Sequence, residues 1–145
     1  MRSFLLVGSV GAGKTTLRQR LQGADVDYAK TQAIETHEGI IDTPGEFLES
    51  MFYKNALINA SWGVQSVVLV QAADVRGTRF PPGFATAFNR EVLGVVTKSA
   101  DAAEPERRAA IAALKLAGAG EIFCVDSVTG DGIDDLTEAL CRPSS

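Results

Sequence analysis

Cysteine is scarce, with only Cys124 and Cys141 in 145 residues. Two cysteines cannot build a disulfide framework, and their spacing fits no structural zinc site. Both are expected as plain thiols, Cys124 in a strand and Cys141 in a terminal helix. That usage points to a reducing compartment, the cytosol. Long apolar runs are missing too. Nothing approaches the roughly 20 residues that a membrane-spanning helix requires, and Phe4–Val7 is too short for the core of a signal peptide. Cys141 stands fifth from the end, which excludes a prenylation box. Positive charge is not in excess: 14 Lys and Arg face 18 Asp and Glu, a net charge of −4. A balance of this sign disfavours nucleic acid as the main partner. Linkers, internal repeats and low-complexity segments are also absent.

What is present suffices for one folded unit. Apolar residues make up 46% of the chain and charged residues 22%, so a single domain over 1–145 can bury a core without covalent staples. Short apolar strands alternate with helical stretches. Strands are expected at Ser3–Val7, Ile40–Ile41, Val64–Val70, Val92–Val96 and Ile122–Val125, with a short edge strand within Thr31–Thr36. Helices are expected at Thr15–Leu21, Phe47–Ala60, Pro105–Ala117 and Ile133–Cys141, the third started by Pro and stopped by Gly118. The stretch Asp74–Asn89 is irregular around Pro81-Pro82-Gly83, with at most a short helix at Phe84–Asn89. Continuous apolar strands alternating with helices predict an α/β fold, a mostly parallel sheet covered on both faces. Ligands of such sheets bind at the carboxyl ends of the strands.

The strongest motif lies at the first of those ends. Gly8-Ser9-Val10-Gly11-Ala12-Gly13-Lys14-Thr15 fits G-x-x-x-x-G-K-[ST] at every fixed position. Glycines let consecutive backbone N–H groups turn inward and hold phosphate oxygens, and the following helix adds its dipole. Lys14 is expected to bridge the β- and γ-phosphates. The Thr15 hydroxyl is expected next to Mg²⁺, and Thr16 is expected at the nucleotide. A second signal is Ile40-Ile41-Asp42-Thr43-Pro44-Gly45. An acid at the end of a buried strand suits a second Mg²⁺ partner, and the Gly45 N–H suits the γ-phosphate.

In combination these motifs resemble the translation-factor-related small GTPases. More narrowly, the chain resembles the EutP/PduV family of microcompartment-associated proteins of ethanolamine and propanediol utilisation. The residues that carry this are Lys30 through Glu35, Ile41 through Glu49, Phe80 through Asn89, and Gly94-Val95-Val96-Thr97-Lys98. The resemblance runs from about Phe4 to Leu140. It implies a P-loop NTPase with a small GTPase-like sheet, one antiparallel edge strand, and a role around a bacterial microcompartment.

The resemblance also implies roles for further residues. Thr31, with Thr36 second, is the candidate switch threonine for Mg²⁺ and the γ-phosphate; the alternative is an ordinary strand threonine. His37, the only histidine, is expected in an exposed turn. Glu46 stands where many GTPases carry a water-orienting Gln. An ionised Glu accepts but cannot donate, so slow turnover is expected; the alternative is a first-turn helix charge. The base motif departs from the pattern [Asn/Thr]-Lys-x-Asp. It reads Thr97-Lys98-Ser99-Ala100-Asp101, with the acid one residue late. Either the loop bulges and Asp101 reaches the base, or guanine selectivity is weak, or Asp101 merely caps the next helix. Ser127-Val128-Thr129 resembles the loop that closes over the base. Arg76, Arg79 and Arg90 are candidates for an arginine supplied in cis, with solvated surface as the bland alternative.

The leading expectation is therefore a Mg²⁺-dependent nucleotide switch, using GTP and GDP or else ATP and ADP, with weak hydrolysis. Lys14, Thr31 and Glu46 would carry the chemistry. The protein would be cytoplasmic, away from membranes, with microcompartment shell proteins or enzymes as further partners. A second expectation, implied by the resemblance, is an acetate kinase-like phosphotransferase. A third is a non-catalytic nucleotide-binding module. The sequence leaves the oligomeric state open.

Overall fold

A computed structural model of the chain describes residues 3–8, 11–21, 35–37, 40–43, 54–74, 80–99 and 102–141. Its strands are β1 (Phe4–Val7), β2 (Glu35–His37), β3 (Ile40–Asp42), β4 (Ser66–Ala72), β5 (Glu91–Thr97) and β6 (Ile122–Cys124). Its helices are α1 (Lys14–Leu21), α2 (Lys54–Ser61), α3 (Glu104–Ala117) and α4 (Ile133–Cys141), with a 3₁₀ turn at Phe84–Ala87. The six strands form one sheet in the order β2-β3-β1-β4-β5-β6. All neighbouring pairs are parallel except β2 and β3. The edge strand β2 is the antiparallel one, as the family resemblance implies.

The alternation of side chains along each strand sorts the core into two layers. Leu5, Val7, Val67, Leu69, Val92 and Val96 pack on one face with Leu57 of α2 and Ala110, Leu114 and Ala117 of α3. Phe4, Leu6, Val68, Val70, Leu93 and Val95 pack on the other with Leu17 of α1 and Ile133, Leu136 and Leu140 of α4. Both faces of the sheet are covered, which is why its strands are apolar at consecutive positions.

The irregular stretch before β5 is part of the first layer. Phe80, Phe84 and Phe88 are buried there, with successive ring centroids 5.4 Å apart. The 3₁₀ turn is shorter than the expected Phe84–Asn89 helix, because Phe88 already has extended backbone. Arg90 stands just before β5. It donates through Nε to Val64 O at 2.8 Å, through Nη1 to Asn89 O at 2.7 Å and through Nη2 to Trp62 O at 3.2 Å.

Observed bounds differ from the sequence expectation where pairing overrides hydropathy. The expected strand Val64–Val70 slides to Ser66–Ala72. Val64 lies in a turn whose N–H reaches Ser61 O at 3.3 Å. At the other end the less apolar Gln71 is drawn into the strand opposite Val96. Helix α3 begins at Glu104, with Ala103 at its N-cap and Pro105 in the first turn, and stops at Gly118. Asp101 is therefore not the N-cap of this helix. The Arg107 guanidinium, hydrogen-bonded to exposed Glu104 at 2.7 Å and aided by its own charge and that of Arg108, holds the Glu104 carboxyl below the usual range. Of the expected helix Phe47–Ala60, the part before Lys54 lies outside the described residues.

Candidate functional site

The glycine-rich loop leaves the carboxyl end of β1 and enters α1 at Lys14. Its geometry explains its glycines. A Cβ on Gly8 would sit 2.7 Å from Val70 O and 3.2 Å from Lys14 Cδ. Lys14 therefore folds back over the start of the loop, and its side chain is buried. Gly13 has φ +91° and would place a Cβ 3.4 Å from Thr97 Oγ1. Any side chain there would be strained and would crowd β5. Gly11 and Ala12 complete the described loop, Thr15 is half-buried and Thr16 is buried. Ser9 and Val10 lie outside the described residues.

The end of β5 closes onto this loop. Thr97 Oγ1 donates to Ala12 O at 2.6 Å, and Lys98 Nζ donates to Gly11 O at 3.3 Å. Lys98 adopts φ +58°, alone among the described non-glycine residues in having positive φ. That turn carries its side chain back over the loop. Its half-exposed ion pair with Asp74 at 3.8 Å adds little. The structure thus brings Thr97 and Lys98 to the glycine-rich loop.

At the end of β3, Asp42 pairs in register with Leu6 of β1, just before the glycine-rich loop. The next residue, Thr43, is buried and donates its hydroxyl to Leu6 O at 2.8 Å. This bond fixes where the chain leaves the sheet. Thr36 and His37 lie in β2. Thr31, Gly45, Glu46 and Asp101, with Arg76 and Arg79, lie outside the described residues. Among the described residues, no group of three or more His, Cys, Asp or Glu could hold a metal ion. The Thr15 hydroxyl and the Asp42 carboxylate are hard oxygen donors, the chemistry that suits Mg²⁺.

The loop after β6 is tied to the loop after β5. Ser99 N–H donates to Val125 O at 3.2 Å, and Arg107 Nη1 donates to Ser99 O at 3.1 Å and Ala102 O at 2.8 Å. The buried Asp126 organises the turn from Ser127 to Asp131. Its Oδ1 accepts the amides of Val128 at 3.0 Å and Thr129 at 3.1 Å. Its backbone closes the same turn, with Gly130 N–H to Asp126 O at 2.8 Å and Asp126 N–H to Asp131 O at 2.9 Å. The Val128 amide is thus engaged by Asp126 while its side chain is exposed, whereas Ser127 is buried. Gly130, with φ +89°, faces Arg20 of α1: a Cβ there would stand 2.6 Å from Arg20 Nη2.

Sequence reading missed Asp126, Thr43, Arg107 and Arg20. Asp126 had a legible signal, because Asp followed by Ser and then Thr-Gly is the composition of an Asx turn. The other three act across the fold, and nothing local marks them. Arg90 is corrected outright. Its three carbonyl contacts lie at the amino-terminal edge of the sheet, the end opposite the glycine-rich loop, so it cannot serve as an arginine for phosphoryl transfer.

Comparisons with known proteins agree with this geometry. A family model described as "Ethanolamine utilisation - propanediol utilisation" (PduV-EutP) matches residues 1–142. The propanediol utilization protein PduV of Citrobacter freundii is 38% identical over 137 residues, covering 94% of this chain and 91% of the relative. The probable acetate kinase EutP of Salmonella typhimurium is also 38% identical, over 101 residues, covering 68% of this chain and 64% of the relative. GTPase Era of Mesorhizobium japonicum is 28% identical, covering 94% of this chain and 51% of that protein. Among solved structures, a bacterial selenocysteine-specific elongation factor, EF-Sec, matches with a TM-score of 0.71 at 25% identity, covering 96% of this chain and 28% of that one. The fold is that of P-loop GTPases.

Proposed function

The chain belongs to the PduV–EutP family, and from that premise we propose that it is a Mg²⁺-dependent nucleotide-binding protein of GTPase type. The observation that carries this reading is the clasp of Thr97 and Lys98 on the carbonyls of Ala12 and Gly11. It joins the phosphate-binding loop to the strand end that would meet the base.

In this reading the amides from Gly11 to Lys14 hold the phosphates, and Lys14 supplies a charge beside the β- and γ-phosphates. Thr15, Asp42 and Thr31 would hold Mg²⁺, which would supply positive charge against the phosphates. Gly45 senses the γ-phosphate. Glu46 orients water poorly, because an ionised carboxylate accepts but cannot donate and repels the γ-phosphate. Hydrolysis is slow, and the bound triphosphate acts as a signal ordering the Thr31 and Gly45 segments. The relatives' names support a role in propanediol or ethanolamine utilisation. The protein then acts as a switch or positioning factor for a metabolic microcompartment. Hydrogen exchange tests the switch: a non-hydrolysable triphosphate should protect both segments, and absence of protection in either would defeat it.

A second reading rests on the name "Probable acetate kinase EutP" carried by a relative 38% identical to the chain. Here the phosphoryl group passes from ATP or GTP to acetate. Purified protein with acetate and either triphosphate should then form acetyl phosphate, and its absence removes this reading.

A further inference from the structure

Between Lys98 and its acid the loop after β5 carries one residue more than the pattern it departs from. An added loop residue brings conformational freedom that ligand binding must remove. The fold restrains this loop at Ser99 and Ala102, the residues flanking positions 100 and 101. Every polar atom of Ser99 is engaged. Its N–H donates to Val125 O at 3.2 Å, its hydroxyl donates to Val96 O at 2.9 Å, and its carbonyl accepts the Ala102 N–H at 3.3 Å. The same carbonyl accepts Arg107 Nη1 at 3.1 Å, and that nitrogen also donates to Ala102 O at 2.8 Å. One cation therefore grips both flanks.

Arg107 reaches these carbonyls from the first turn of α3. Ala103, at the N-cap, makes no side-chain capping bond, so the guanidinium is what ties the start of the helix back to the loop. Its Nη2 donates to Glu104 Oε2 at 2.7 Å. A planar fork engaged at both Nη atoms cannot turn without losing a bond. The next residue makes the contrast. Arg108 also pairs with Glu104, through Nε at 3.2 Å, but it is 77% exposed against 31% for Arg107 and bonds to neither carbonyl.

We propose that Arg107 is a positioning residue for the base side of the nucleotide site, holding the lengthened loop after β5 in one shape whichever of its residues meets the base. This rests on the nucleotide-binding reading. It adds a residue of α3, outside every motif of the sequence, to those on which nucleotide affinity depends.

The test is a calorimetric titration of the full chain with GTP, GDP, ATP and ADP, each with Mg²⁺. Arg107→Ala should weaken the preferred triphosphate and its diphosphate by the same factor, at least fivefold, because the loop acts away from the γ-phosphate. Arg108→Ala, which removes a Glu104 pairing but no carbonyl contact, should leave both within twofold. A loss below fivefold, a loss confined to the triphosphate, or an equal loss in Arg108→Ala overturns the proposal. If Arg107→Ala fails to fold, Arg107→Lys carries the test. It keeps the charge without the planar fork and should weaken both nucleotides alike by at least threefold; a smaller or unequal loss overturns the proposal. Wild-type protein that binds no nucleotide defeats the nucleotide-binding reading itself, whereas wild-type binding that the Arg107 variants retain defeats only the positioning role.

Discussion

The hydroxyl of Thr97 donates to the carbonyl of Ala12 at 2.6 Å, across 85 residues of sequence. This bond couples the last residue of β5 to the middle of the glycine-rich loop. The loop's shape is thus held by a strand end and not by its glycines alone.

Removing that bond should be costly. Thr97→Val keeps the shape of the side chain and strands the buried carbonyl of Ala12. We expect a loss of about 1–3 kcal/mol in chemical denaturation, together with weaker binding of nucleotide. Unchanged stability and affinity would mean the loop holds its shape without β5.

Gly130→Ala should disturb the turn around Asp126 twice over. The φ of +89° costs a side chain roughly 1–2 kcal/mol, and the new methyl would meet the Arg20 guanidinium. Adding Arg20→Ala should recover part of the loss in melting temperature but not the backbone share. Full recovery would show that only the contact mattered, and none would show that only the backbone did.

Arg90→Ala should lower stability without touching nucleotide chemistry. Its three carbonyl acceptors at the far edge of the sheet predict a loss of about 1–3 kcal/mol. Nucleotide affinity and turnover should stay within twofold of wild type. A selective fall in turnover with intact stability would contradict the placement of Arg90.

The Glu104 carboxyl, held low by Arg107 and Arg108, should titrate below its ordinary range. Its pairing is present above the unfolded-state pKa and is lost as pH falls through the lowered folded value. Because the group is exposed the effect is small. A proton titration followed by NMR should show it in the wild type and a smaller shift in Arg107→Ala, where Arg108 still pairs with Glu104.

Much of this was legible in the chain. The strand-loop-helix of Gly8 through Thr15 declares itself, because phosphate binding constrains consecutive backbone positions and so leaves a local pattern. The alternation of apolar strands and helices gave the layered sheet for the same reason. What stayed hidden depends on distant partners. Gln71 joins β4 only because Val96 stands beside it. Arg90 looked like a loop arginine until its carbonyl partners appeared at the opposite edge. Ser127 and Val128 read alike in sequence, yet one is buried without a hydroxyl partner and the other exposed with its amide engaged.

The central claim is nucleotide binding at the loop that Thr97 and Lys98 clasp. Calorimetric titration with GTP, GDP, ATP and ADP, each with Mg²⁺, tests it most directly, with Lys14→Ala as the comparison. Loss of a charge-assisted contact of about 1.5–3 kcal/mol corresponds to roughly 10- to 100-fold in affinity. The wild type should bind at least one triphosphate and Lys14→Ala should bind it that much more weakly. No binding by the wild type, or equal binding by the variant, would contradict the account.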